Sequence, residues 1–97
     1  MSFRIKARIS LLSTENGGLN GPIDMEPRCP LFVDEEYHDC RIHVGKEPIY
    51  PGQTRDHIVI EFLCPELVAG KLTVGKKFKL WDRRFFAEGL VTERDEG

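Results

Sequence analysis

Phe3, Ile5, Ala7, Ile9 and Leu11 alternate with Arg4, Lys6, Arg8 and Ser10, which is the period of an antiparallel strand with one face in a core and the other in water. Ser13-Thr14-Glu15-Asn16-Gly17-Gly18 breaks the run and Pro22 follows, so the chain leaves that strand for a loop. Pro30-Leu31-Phe32-Val33 is a short apolar run closed by the acidic break Asp34-Glu35-Glu36. Cys40, Ile42 and Val44 then alternate with Asp39, Arg41 and His43, a second clear period-2 strand that Gly45-Lys46-Glu47-Pro48 ends.

Tyr50-Pro51-Gly52-Gln53 carries the Pro-Gly pair of a tight turn, and a strand is expected after it. His57 to Leu63 supplies it, β-branched and apolar on both faces near its middle, as for a strand covered on two sides. Cys64-Pro65 stops that run, and Glu66-Leu67-Val68-Ala69 has room for one helical turn. Lys77-Phe78-Lys79-Leu80 alternates again. The stretch from Arg84 to Arg94 sets Phe85, Ala87, Gly89 and Val91 against Phe86, Glu88, Leu90 and Thr92, and Arg94-Asp95-Glu96-Gly97 reads as a frayed tail. About six strands with hardly any helix predict an all-β fold, a small closed antiparallel barrel in which residues 1–97 form a single domain.

Composition narrows the function more than the fold. Fourteen Lys and Arg face sixteen Asp and Glu, a formal charge of −2, so the chain lacks the basic field behind nonspecific nucleic-acid affinity. Local basic stretches remain at Arg4, Lys6 and Arg8 and from Lys71 through Arg84. The run from Met1 to Leu12 has no continuous apolar core of an export signal, and no segment approaches the roughly 20 apolar residues of a spanning helix. A cytoplasmic protein without membrane contact is expected, with Cys29, Cys40 and Cys64 as reduced thiols.

Gly70-Lys71-Leu72-Thr73-Val74-Gly75-Lys76-Lys77 nearly spells a phosphate-binding loop. Lys77 stands where a Mg²⁺-binding hydroxyl is needed, and the following Phe78-Lys79-Leu80-Trp81 reads as a strand rather than a helix N-terminus, so no nucleotide is expected. His38, Cys40 and His43 are zinc-type donors. In a strand, however, His43 points away from the other two, which makes Cys40 a core residue and His43 a solvated one, with no metal or other cofactor. No Cys or Ser has a local base-and-carboxylate signature, and the carboxylates of Asp34-Glu35-Glu36 and of Glu93, Asp95 and Glu96 read as exposed, so an enzyme is not expected. Trp81-Asp82-Arg83-Arg84-Phe85-Phe86 interleaves aromatic and basic residues as a base-stacking surface does. A hairpin with the arginines at its turn and Phe85 or Phe86 in the core gives the same string.

Gly17, Gly18 and Pro22, Arg28, Pro51-Gly52, Phe62-Leu63-Cys64-Pro65 and Glu88-Gly89-Leu90-Val91 together resemble the C-terminal β-barrel domain of translation elongation factor Tu over nearly the whole chain. In that family the barrel does no chemistry, packs against a GTPase domain and touches the T stem of aminoacyl-tRNA. The family loop Gly-Gly-Arg-His-Thr-Pro is matched here by Gly17, Gly18, Leu19, Asn20, Gly21 and Pro22, without the arginine. The family's Tyr-Arg-Pro-Gln-Phe aligns with Pro27-Arg28-Cys29-Pro30-Leu31, so Arg28 is kept and the RNA-contacting glutamine becomes Pro30; a threonine contact falls near Asp39. Each lost charge-assisted hydrogen bond removes roughly 1.5 to 3 kcal/mol.

The resemblance therefore implies a barrel that kept the fold without the tRNA grip. The expected function is a non-catalytic interaction module binding a protein partner, translation-associated by analogy, through Asn16, Gly17, Gly18, Leu19, Asn20 and Arg28. The alternative is a tRNA- or RNA-binding barrel using Arg28, Lys76, Lys77, Arg83 and Arg84.

Overall fold

A computed structural model describes residues 3–24 and 26–95 of the chain. Six strands close into an antiparallel barrel: β1 (Arg4–Leu11), β2 (Arg28–Val33), β3 (Glu36–His43), β4 (Thr54–Phe62), β5 (Lys77–Trp81) and β6 (Phe85–Asp95), in the order β1-β4-β3-β2-β5-β6. β6 pairs with both β1 and β5, which joins the first and last strands and leaves no open edge. A 3₁₀ turn, Thr14–Asn16, and one short helix, α1 (Pro65–Val68), complete the elements.

The alternation in the sequence becomes the inside and outside of the cylinder. Ile5, Ala7 and Ile9 of β1, Leu31 of β2, Ile42 of β3, Ile60 of β4, Leu80 of β5 and Val91 of β6 are buried, and Ile49 and Leu72 add to the core from the loops. The β2–β3 hairpin turns on two residues, Asp34 and Glu35, both at positive φ (49° and 62°). That geometry matches the twist of the flanking strands but strains residues with a side chain. At Tyr50-Pro51-Gly52-Gln53, the Gln53 N–H donates to the Tyr50 carbonyl at 3.0 Å, as the Pro-Gly pair predicts.

Three expectations need correction. β4 is not covered on both sides: Ile58 and Ile60 face in, while Val59 is only half-buried on the outer wall, because a single closed sheet has water outside. Strand pairing also continues through Arg94 and Asp95, where a frayed tail was expected; Arg4 pairs with Asp95 and Ile5 with Arg94. Glu96 and Gly97 lie outside the described residues. Finally, the alternation of β6 is broken near its start, where Leu80 pairs with Ala87 but Trp81 pairs with Phe85. The extra residue is a bulge that turns Phe86 and Ala87 both inward and sends Phe85 out.

The end of the barrel near the β2–β3 turn is capped by the segment from Leu63 to Lys76. Lys71 Nζ lies 2.8 Å from Glu36 and Lys76 Nζ 2.6 Å from Asp34, while Arg94 Nη1 donates to the carbonyls of Ala69 and Leu72 at 2.8 and 2.7 Å. Among the described residues no helix is long and apolar enough to cross a membrane.

Candidate recognition wall

The outward phase of four neighbouring strands collects aromatic side chains. On β2 the outward residues are Arg28, Pro30 and Phe32, on β3 Tyr37, Asp39 and Arg41, and on β5 Lys77, Lys79 and Trp81. The bulge adds Phe85. Phe32 packs on Tyr37 and Phe85 with ring centroids 4.9 and 5.3 Å apart, and Tyr37 contacts Trp81 edge-on at 6.0 Å and lies parallel to Phe85 at 6.5 Å. Four rings thus hold one another on the outside of the barrel, and Tyr37 remains 54% exposed. Such pairs add about 0.5–1.5 kcal/mol each beyond the area they bury.

The same wall carries cations. Lys79 pairs across the strands with Glu88, yet its ammonium lies 5.3 Å over the Phe85 ring instead of joining that carboxylate. Lys77, Arg83 and Arg84 are exposed and make no ion pair among the described residues. Arg83 sits at φ 65° in the turn that returns β5 into β6. Beside the rings runs a groove of about 470 Å³, lined by Phe32 and Leu90, by Lys77, Lys79 and Asp34, by Glu88 of β6 and, across β6, by Arg8. Gly89 lines it with backbone, and on the core side a Cβ there would come within 2.2 Å of the Phe78 ring.

The residues expected from the sequence to bind a partner are distributed differently. Asn16, Gly17 and Asn20 are exposed at the loop after β1, but Gly18 is buried, and a Cβ on it would lie 2.1 Å from the Leu12 carbonyl oxygen. Leu19 packs against the core and its carbonyl accepts from Thr14 Oγ1 at 2.7 Å. Two of those five loop residues, Gly18 and Leu19, are structural. Arg28 lies on β2 opposite Arg41 of β3, in the same outward phase as Phe32. Of the basic stretch, Lys76 is neutralised by Asp34, whereas Lys77, Arg83 and Arg84 are free.

The remaining chemistry-bearing side chains resolve individually. His38 and Cys40 face the core and His43 faces out, as the period demands. His43 is not simply solvated: Nδ1 lies 2.9 Å from Glu26 Oε1 and Nε2 2.5 Å from Glu61 Oε1. His38 is buried, and its Nε2 has no hydrogen-bond partner among the described residues, the Glu36 carboxylate lying 3.8 Å away. Cys40 donates through Sγ to the Cys29 carbonyl at 3.2 Å. Its hydrogen bonding with Cys29 and then its burial push this thiol well above the ordinary range, so it stays protonated at neutral pH. The near-match to a phosphate-binding loop is the end cap, and its last lysine opens β5. Among the described residues no group of three or more His, Cys, Asp and Glu is placed to hold a metal.

Sequence reasoning singled out the Trp81 to Phe86 string but not Phe32 or Tyr37. The signal was present: Phe32 is in phase with the exposed Arg28, and Tyr37 with Asp39 and Arg41. Neither a protein-family model nor a curated protein matches the chain.

Proposed function

We propose that the protein is a non-catalytic interaction module that docks a protein partner on the wall formed by β3, β2, β5 and β6. The observation that carries this reading is the four-ring cluster with Tyr37 exposed beside free cations. Aromatic residues and arginine are the residue types that supply most of the binding free energy at protein interfaces. Resemblance to the elongation factor Tu barrel makes a translation-associated partner the first to test, by analogy alone.

RNA binding is supported less well. Base stacking needs open ring faces, and here the rings are turned onto one another at 4.9 to 6.5 Å. Photo-crosslinking from the wall in the native cell, followed by mass spectrometry, tests the reading. A protein partner captured by the wild type and lost with Tyr37→Ala/Trp81→Ala supports it, with circular dichroism confirming that the variant is folded. Equal capture by that variant, or a crosslinked RNA in place of a protein, refutes it.

A further inference from the structure

On the reading that this wall docks a protein, we infer that its occupant is an extended acidic segment that inserts a bulky apolar side chain between Phe32 and Leu90. Closure of the barrel removes strand addition as a mode of binding, since β1 and β6 pair and no edge is open. Contact must be made through side chains, and the groove of about 470 Å³ is the recess available for them. Gly89 contributes bare backbone to its lining, with the Phe78 ring packed against the inner side of that glycine.

Charge selects the sign of the occupant. The chain as a whole carries −2, yet on this wall six cations, Arg28, Arg41, Lys77, Lys79, Arg83 and Arg84, make no ion pair among the described residues, against four carboxylates in the same state, Glu35, Asp39, Asp82 and Glu88. The other cation of the groove, Arg8, is held by Asp56 at 2.6 Å. A local positive surplus disfavours pairing of this wall with the same wall of another copy and attracts carboxylates flanking an apolar anchor.

The test is selection from a displayed library of random peptides, followed by titration of the enriched peptides against the emission of Trp81, the single tryptophan. Enriched peptides are expected to have excess Asp and Glu around a Phe, Tyr, Leu or Ile. They should shift Trp81 emission saturably, bind about tenfold more weakly to Lys77→Glu and lose affinity as salt rises. Lys6→Glu, on another strand, should bind as the wild type does. Enrichment of basic or neutral peptides, equal binding to Lys77→Glu, or saturation by oligouridylate at lower concentration than any peptide would overturn the inference. The two levels fail separately. If no acidic preference emerges while the crosslinked protein is still lost with Tyr37→Ala/Trp81→Ala, the acidic occupant is wrong and the docking wall stands. If the crosslinked protein survives that double substitution, the docking wall is wrong too.

Discussion

β1 and β5 present the same outward pattern of alternating cations, and the barrel treats them in opposite ways. On β1, Arg4 meets Asp95 at 3.8 Å, Lys6 meets Glu93 at 3.3 Å and Arg8 meets Asp56 at 2.6 Å. On β5, Lys77 and Lys79 have no such partner among the described residues, and Lys79 rests on an aromatic ring instead. Register accounts for part of the difference: Arg4 and Lys6 lie opposite Asp95 and Glu93 of β6 and Lys77 opposite Leu90, whereas Arg8 takes its partner from β4 and Lys79 leaves the Glu88 opposite it for the Phe85 ring. A basic stretch thus shows its purpose only once its cross-strand neighbours are known.

The largest effect should come from joining the fates of the two walls. β6 belongs to both, and Gly89→Ala drives a Cβ into the Phe78 ring. We expect destabilisation of about 1–3 kcal/mol in urea unfolding, partly relieved by adding Phe78→Leu. Charge reversal separates the walls again. Lys6→Glu sets two carboxylates opposite each other with Glu93 and should cost about 0.5–1 kcal/mol at low salt, while Lys77→Glu should stay within about 0.5 kcal/mol of wild type. Equal losses from the two would erase the distinction.

Smaller still is the hairpin that borders the aromatic wall. Glu35 holds φ 62° without glycine's freedom, so Glu35→Gly should raise stability by about 0.5 kcal/mol, read as a higher urea midpoint with an unchanged slope. The smallest effect is in acid. Arg8 lowers the Asp56 carboxyl and Lys71 the Glu36 carboxyl, each first through its hydrogen bond. A carboxyl lowered on folding contributes stability above its unfolded value and loses it as pH falls through the folded one. The deficits of Arg8→Met and Lys71→Met relative to wild type should therefore be present at pH 7 and close below about pH 4 in urea titrations. Both carboxylates are solvent-exposed, which keeps these deficits small.

The fold was legible because burial along most of its strands is periodic. Each of β1, β3 and β5 buries the phase that its alternation marks, and turns fall at Asp34-Glu35 and Pro51-Gly52. The wall was half legible. Tyr37 and Phe32 could have been placed outside by phase alone, but Phe85 could not, since one inserted residue in β6 reverses its side and no local signal marks a bulge. Ion pairing was not legible at all: whether Lys76 is neutralised and Lys77 free depends on where Asp34 arrives from another hairpin.

Arg94 couples closure of the tube to its end cap. It lies on the last strand, binds two carbonyls of the end cap and covers the Phe3 ring at 4.8 Å. The other five strands alone make an open ribbon with β1 and β5 at its margins. β6 joins those margins and through Arg94 bolts the cap, so one strand both seals the tube and fastens its lid.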